Sequence, residues 1–413
     1  MIDIKFIRQN SEKVKEGIKK KGIKVDIDRL LELDEKKREY LQKIEALKAE
    51  QNKLGKDDIE EGREIKARIK IIEPELADVD KKLEILMRQI PNLPLPEVPV
   101  GKDEKDNVVL REWGKKPKFS FKPKDYLEIA EPLDLIDVKR AANASGTRFG
   151  YLKGSAALLE IALVNLAFDV LGKEKFIPVI PPVMLKPEMM EAMGYTERGS
   201  EEIYYIEKDK LYLVGTSEQS IGAMHSGEIL DERMLPLRYV GFSTCFRREA
   251  GAYGKDTRGI LRVHQFDKAE MFSFCHPNKS KEEHRFFLKM EEKLMQQLNL
   301  PYRVVNICTG DLGDPAAAKY DIEAWMPGQN CYRETHSTSS CTDYQARRLN
   351  IRYRDSKTKK LEFVHTLNGT AFAIGRMLIA IIENYQQKDG SILVPKVLHK
   401  YTGFKRISGG STS

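Results

Sequence analysis

Between Phe246 and Phe266 the chain reads FRREAGAYGKDTRGILRVHQF, two arginine clusters on either side of a loop that carries glycine and no proline. Arg247 and Arg262 are permanently charged and can grip a phosphate or carboxylate through paired hydrogen bonds. Gly251, Gly254 and Gly259 let the backbone bend and approach a ligand closely. Phe266 closes the segment with a flat face for stacking. These types together suit a polyphosphate held beneath a planar base. An arginine-rich loop is more often a solvated turn, so the reading needs support from elsewhere in the chain.

The elements that must position these residues follow from composition and periodicity. With 413 residues the chain exceeds one ordinary core, so two or three domains are expected. An apolar content of 41% and a charged content of 32% describe a globular protein with a long charged helical part. The formal charge of +7 permits a polyanionic partner without demanding one. The opening MIDIKFIRQN has no apolar core of signal-peptide length, and no run long enough to span a bilayer stands out. The expectation is a cytoplasmic protein with no membrane contact. Five scattered cysteines without a C-x-x-C pair argue against a disulfide framework and a zinc knuckle.

A basic helix is expected near the start, with Ser11 as N-cap and Gly22 as stop. From about Asp28 a heptad takes over: Leu33, Lys37, Tyr40, Ile44, Leu47, Gln51 and Leu54, broken only by Lys37 and Gln51. After a polar turn it resumes as Ile65, Ile69, Ile72, Leu76, Val79, Leu83, Leu86 and Ile90. Two such seams predict an antiparallel helical hairpin over about 28–90, a coiled coil projecting roughly 40 to 45 Å. Pro74 should kink or interrupt its second helix. A spacer or dimerisation coil and a binding arm are equally compatible with this pattern. Acids and bases nearly balance along it, so a grip on nucleic acid must come from groups such as Lys43, Lys53, Arg63, Arg68 and Lys70.

The proline-rich and then charged stretch 91–107 places a domain boundary there, giving an N-terminal domain over 1–107 with its linker. Beyond it, strand-like runs alternate with helical patterns near Ala156–Leu171, Lys281–Leu298 and Ala371–Gln386. Turns and long loops between the strands favour an α+β domain over 108–406 with a largely antiparallel sheet and flanking helices. A disordered tail is expected over 407–413.

The chain resembles the seryl-tRNA synthetase family, and its second domain resembles the catalytic domain of class II aminoacyl-tRNA synthetases. Three signatures occur in the family order: KFIPVIPPVM with Pro182, FRRE and RVHQF within the opening stretch, and NGTAFAIGR ending on Arg376. GTSEQ at Gly215 and CTDYQARR at Cys341 add to them, and the resemblance includes the N-terminal hairpin.

The resemblance implies ATP-dependent activation of L-serine and its transfer to the 3′ end of serine tRNA, whose long variable arm the hairpin would grip. It implies a homodimer with Pro182 at its interface. Arg247 would bridge the amino acid carboxylate and the α-phosphate, and Arg376 would hold the γ-phosphate. Phe266 would stack on adenine, opposed by the stem of Arg376. Glu249 would accept from the adenine amino group, and Arg262 would bind phosphate. Glu334 and Ser337 match the family's Mg²⁺-binding pair and would also meet ATP; Glu334 is expected in the serine site as well. Thr216, Glu218, Glu270, Asn368 and Thr370 match the serine pocket, with Glu270 on the substrate ammonium. The tip 250–258 would serve the tRNA acceptor end.

Where many relatives read S-S-C-S-N-C and NGSGLAVGR, this chain has ETHSTSSC and NGTAFAIGR, which look like archaeal forms. Cys308, Cys331 and Cys341 lack the ligand set of the zinc-dependent form, so zinc is not expected. Two alternatives stand beside the main reading: a ligase that loads a carrier protein, whose relatives lack the hairpin, and a catalytically dead RNA-binding paralogue.

Overall fold

The computed structural model describes residues 1–55, 58–250 and 258–409. The chain forms two compact units, Met1–Leu93 and Pro94–Ser413.

The first unit is helical: α1 (Ile4–Gln9), α2 (Ser11–Lys20), α3 (Ile27–Gln51) and α4 (Ile59–Gln89). Ser11 is the first residue of α2 rather than its cap, and Asn10 precedes it. The expected heptad seams meet in two clusters. Leu30, Leu33, Val79 and Leu83 pack with α1 and α2 at the base, and Ile44, Leu47, Ile65 and Ile69 pack farther along the hairpin. Lys37, which interrupts the apolar seam, pairs with Asp80 on the facing helix. In the last heptad Met87 is buried, and Leu86 only in part. α4 runs on through Pro74. Pro74 is exposed, so water can satisfy the carbonyl its ring deprives of a partner.

The second unit is built on an eight-stranded sheet. In chain order its strands are β1 (Val108–Trp113), β2 (Ile177–Val179), β3 (Leu237–Phe246), β4 (Gln265–Cys275), β5 (Tyr302–Asn306), β6 (Ala318–Met326), β7 (Cys331–Thr342) and β8 (His365–Ala373). They lie in the order β1-β5-β6-β7-β8-β4-β3-β2. Only β2 runs parallel to its neighbour within this sheet. The α+β class with a mainly antiparallel sheet is therefore as expected. Helices α5 (Ser155–Gly172), α7 (Ser280–Gln297) and α8 (Ile374–Asn384) join Ala269, Met271, Ile322 and Phe372 in the main core. A second cluster, with Phe272, Phe274 and Leu237, receives Ile221 from the short helix α6 (Ser217–Ala223).

Three expectations change. Residues from Pro94 onward pack with the second unit: the Leu95 N–H donates to Ala317 O at 2.8 Å, and Val98 joins Val305 and Ile307. Ile407, expected in a disordered tail, is buried in a two-residue strand paired with Ile392–Leu393; residues 410–413 lie outside the described ones. α5, expected as a helix near Ala156–Leu171 but not as an apolar run of membrane-spanning length, is long and apolar enough by length and composition to cross a membrane. Its inner face, with Leu159, Leu163, Leu166 and Val170, packs instead into the core of this unit.

Candidate active site

Phe266, Lys268 and Glu270 occur at a spacing of two along β4 and so project from one face of the sheet. Ala269 and Met271, between and beyond them, enter the core on the other face.

Two β-bulges bring further side chains to that same face. Opposite β4, the register on β8 shifts so that Ala269 faces Phe372 while Glu270 faces Thr370. Ala371 is the extra residue, and it re-phases the strand: Phe372 enters the core, and Thr370 turns to Glu270. On β7 the register against β6 shifts likewise. Ile322 faces His336 and Glu323 faces Glu334, which leaves Thr335 as the inserted residue. Glu334 and Ser337, three apart, would point to opposite faces of a regular strand. The bulge returns them to one face.

Arg247 follows the end of β3. Its Nε donates to Gly215 O at 3.2 Å, and its guanidinium lies 5.4 Å from the centre of the Phe266 ring. The Arg247 N–H donates to His264 O at 3.0 Å, closing the hairpin at its neck. Glu249 adopts φ +51°, and its backbone O accepts from Arg148 at 2.8 Å. Its carboxylate lies 3.4 Å from Arg262. Gly259 has φ +75°, and a Cβ there would fall 1.8 Å from the Tyr126 hydroxyl. That hydroxyl accepts from the Ile260 N–H and donates to Arg258 O. The tip assigned to the tRNA acceptor end lies largely outside the described residues, which omit 251–257.

Arg376, in the first turn of α8, donates to Glu334 O at 2.9 Å and lies 3.4 Å from Glu334 Oε1. Arg247, Glu249, Arg262, Phe266, Glu334, Thr370 and Arg376 line one cleft of about 560 Å³, together with Lys268. Four cations against two carboxylates suit an anionic ligand. Burial raises the pKa of Glu334, but Arg376, Lys319, Arg247 and Lys268 more than offset this and hold the carboxyl well below its usual range. Asp321, whose carboxylate meets the Ser337 hydroxyl, is pushed up by its burial, with Glu334 adding to the rise.

A second layer reaches the cleft through Lys268. Its Nζ lies 2.6 Å from Glu270 Oε2 and 3.2 Å from Thr216 Oγ1. The Thr370 hydroxyl donates to Glu270 Oε2 at 3.4 Å. Burial raises the Glu270 pKa to about 7, against the pull of Lys268. Glu218 sits in the same layer, where it accepts from Gln345 at 3.1 Å and meets Tyr195. Asn368 is buried, and its amide donates toward Cys341 Sγ at 3.8 Å.

Most of the expected residues thus converge. The cation over Phe266 is Arg247, whereas Arg376 engages Glu334. Lys268, Gln345 and Tyr195 were not anticipated. The spacing of two between Phe266, Lys268 and Glu270 was the available signal for Lys268. Among the described residues, one group has metal-ligand spacing, Glu232, His276 and Asp355, and it contains no cysteine.

This antiparallel sheet, with arginines and a stacking ring around one cleft, is the architecture of the class II aminoacyl-tRNA synthetases. Residues 203–385 match the tRNA synthetase class II core domain (G, H, P, S and T), and residues 1–94 match the Seryl-tRNA synthetase N-terminal domain. The serine–tRNA ligase of Dictyoglomus thermophilum is 49% identical over 98% of this chain and 99% of its own. The crystal structure of seryl-tRNA synthetase from Pyrococcus horikoshii complexed with ATP is similar at TM-score 0.93 and 44% identity, covering 99% of this chain and 100% of that one. Cytoplasmic serine–tRNA ligase from Naegleria fowleri in complex with AMP is similar at TM-score 0.91 and 36% identity, covering 100% and 99%. The chain belongs to the seryl-tRNA synthetase family.

Proposed function

We propose that the cleft condenses L-serine with ATP and that the activated serine passes to the 3′ end of serine tRNA. A serine carboxylate oxygen attacks the α-phosphorus, the bond to the bridging oxygen breaks, and pyrophosphate leaves. A hydroxyl of the terminal tRNA ribose then attacks the carbonyl carbon, and AMP leaves. Both reactants of the first step are anionic, so the protein's work is positioning and charge relief. The observation that carries this reading is the convergence of Arg247, Arg262 and Arg376 on a cleft floored by Phe266 and continuous with the Glu270 layer.

In this reading Arg247 meets the attacking carboxylate and the α-phosphate, Arg376 the γ-phosphate, Arg262 a further phosphate, and Glu249 the adenine amino group. The adenine lies on Phe266. Glu270 takes the serine ammonium. Thr216 Oγ1 already accepts from the Glu218 N–H and from Lys268, which leaves its proton for the substrate. Thr370 spends its proton on Glu270 and keeps its lone pairs. A pocket so arranged pairs with a hydroxyl and is left unsatisfied by alanine. Glu218 and Asn368 brace the pocket from below, with Gln345 and Cys341 as their partners.

Glu334 and Ser337 offer hard oxygen donors on one face, which fits Mg²⁺. The ion, when bound with ATP, would neutralise phosphate charge there.

The hairpin is assigned to the long variable arm of the tRNA, with Lys43, Lys53, Arg63, Arg68 and Lys70 exposed to meet phosphates. A homodimer is supported by apolar side chains left open on α5 and around β2: Leu158, Ile161, Ile177 and Ile180 are 47–71% exposed. All five cysteines are free, as suits the reducing cytoplasm. The N-terminal domain match weighs against a carrier-protein ligase. The test is charging of unfractionated tRNA with ATP and labelled serine: ester-linked serine on serine tRNA supports the reading, and its absence with an active adenylation step removes the tRNA half of it.

A further inference from the structure

The proposed serine pocket gives no role to Lys268. The residue is only 8% exposed, on the cleft face of β4 between the stacking ring and Glu270. A lysine is seldom buried so far unless its ammonium is paired. Here it is paired twice, with Glu270 at 2.6 Å and Thr216 at 3.2 Å, and both partners are groups assigned to the substrate. An ammonium with three rotatable donors can serve the two at once, where a planar guanidinium has fixed directions.

We propose that Lys268 is the positioning residue of the serine pocket: its ammonium pairs with Glu270 and fixes Thr216 before substrate arrives, favouring the carboxylate that serine meets. The proposal rests on the assignment of Glu270 to the serine ammonium.

The need for such a cation comes from what surrounds Glu270, itself 1% exposed. Glu218 faces it from α6, Glu291 from α7, Cys245 and Arg247 from β3 and its end, and Tyr195 from the segment before α6. Three of these groups are carboxyls or a thiol, and burial of Glu291 leaves both of its oxygens without a hydrogen-bond partner. The only cation among them is Arg247, whose Nε is held by Gly215 O and whose guanidinium lies over Phe266. Removing Lys268 would leave Glu270 in a dry, acid-rich setting, where a carboxyl takes up a proton rather than stay charged. A neutral acid cannot pair with the serine ammonium. With Lys268 present nothing has to leave: Lys268 and Thr370 both bind Glu270 Oε2, and Oε1 remains for the substrate.

The experiment is serine-dependent exchange of pyrophosphate into ATP by the full-length protein carrying K268M, K268Q, K268R or E270Q. KM for serine and for ATP is followed from about pH 6.5 to 8.5, below the titration of serine's own ammonium. K268M and K268Q should raise the serine KM about 10- to 100-fold at neutral pH, as expected for loss of a charged hydrogen bond. Their KM for ATP should rise far less than that for serine, since Lys268 lines the ATP cleft but both its hydrogen-bond partners belong to the serine pocket. The serine KM of both should fall again as pH rises and Glu270 ionises, which a purely structural defect would not do. K268R should keep the wild-type profile, and E270Q should lose serine affinity without recovery at high pH. K268Q keeps a donor for Thr216 and carries the test if K268M does not fold. An unchanged serine KM in K268M or K268Q, or one raised equally at every pH, overturns the proposal. An unchanged serine KM in E270Q overturns the pocket assignment beneath it.

Discussion

The Thr370 hydroxyl reaches Glu270 Oε2 at 3.4 Å, although Phe372, two residues on, is fully buried in the core on the other side of the sheet. In a regular strand the two would share a face. The extra residue Ala371 separates them, so the bulge makes Thr370 a pocket residue without opening the core. Thr370→Val keeps the shape and removes the donor. It should raise the serine KM about tenfold while the melting temperature moves little, because one charged hydrogen bond is lost and no cavity is made. Steady-state exchange kinetics beside a thermal melt checks both halves.

The neck of the arginine loop depends on one phenol. Tyr126 is 5% exposed and bonds to both Arg258 and Ile260. Tyr126→Phe should cost about 1 to 3 kcal/mol by leaving the Ile260 N–H unpaired in the interior. Gly259→Ala should cost at least as much, since its Cβ must enter the Tyr126 hydroxyl and its φ is positive. Denaturant titration of both variants reads the difference.

Glu160 on α5 and Asp267 just after Phe266 share a hydrogen bond, and burial first, then that bond, raises the Glu160 pKa. The Thr244 hydroxyl holds the other side of Asp267 at 2.6 Å. Because the folded state keeps a proton that the unfolded state has released, stability falls as pH climbs from the ordinary carboxylate range through the raised folded value. Glu160→Gln should remove that slope. Relative to the wild type it should gain on the order of 1 to 2 kcal/mol at alkaline pH and nothing at acid pH. Melting curves at several pH values test this; a Gln variant with the same slope as wild type would exclude it.

Much of this was legible in the sequence. The heptads gave the hairpin because an apolar seam on charged helices has one way to be buried. The arginine loop and its aromatic pointed to the cationic lining of the cleft. β6 and β7 were harder to see. CYRETHSTSSCT has almost no apolar residues to alternate, yet half of β7 is buried beneath the site. The bulges at Thr335 and Ala371 leave no mark that periodicity can read, and they decide which side chains reach the cleft. A lone lysine in a sequence is most often a surface residue, so only its spacing from Phe266 and Glu270 marks Lys268.

The hairpin has separable halves, since its base packs with α1 and α2 while Ile44, Leu47, Ile65 and Ile69 form their own cluster. Replacing the distal part, 42–73, by a short turn should leave the base folded. Pyrophosphate exchange should then be unchanged, while the KM for tRNA in charging rises by roughly two orders of magnitude as the phosphate contacts go. Unchanged charging would reduce the arm to a spacer.

The central claim is that this cleft activates serine and selects it. Its most direct test is ATP–pyrophosphate exchange by the wild-type protein and by Arg247→Ala, each with serine, threonine, alanine and glycine. Serine alone should support rapid exchange. Alanine should be slower by roughly 10⁴-fold, because it leaves the pocket's polar groups unpaired, and Arg247→Ala should lower the serine rate by about 10² or more. Comparable exchange with alanine, or full activity without Arg247, would contradict the account.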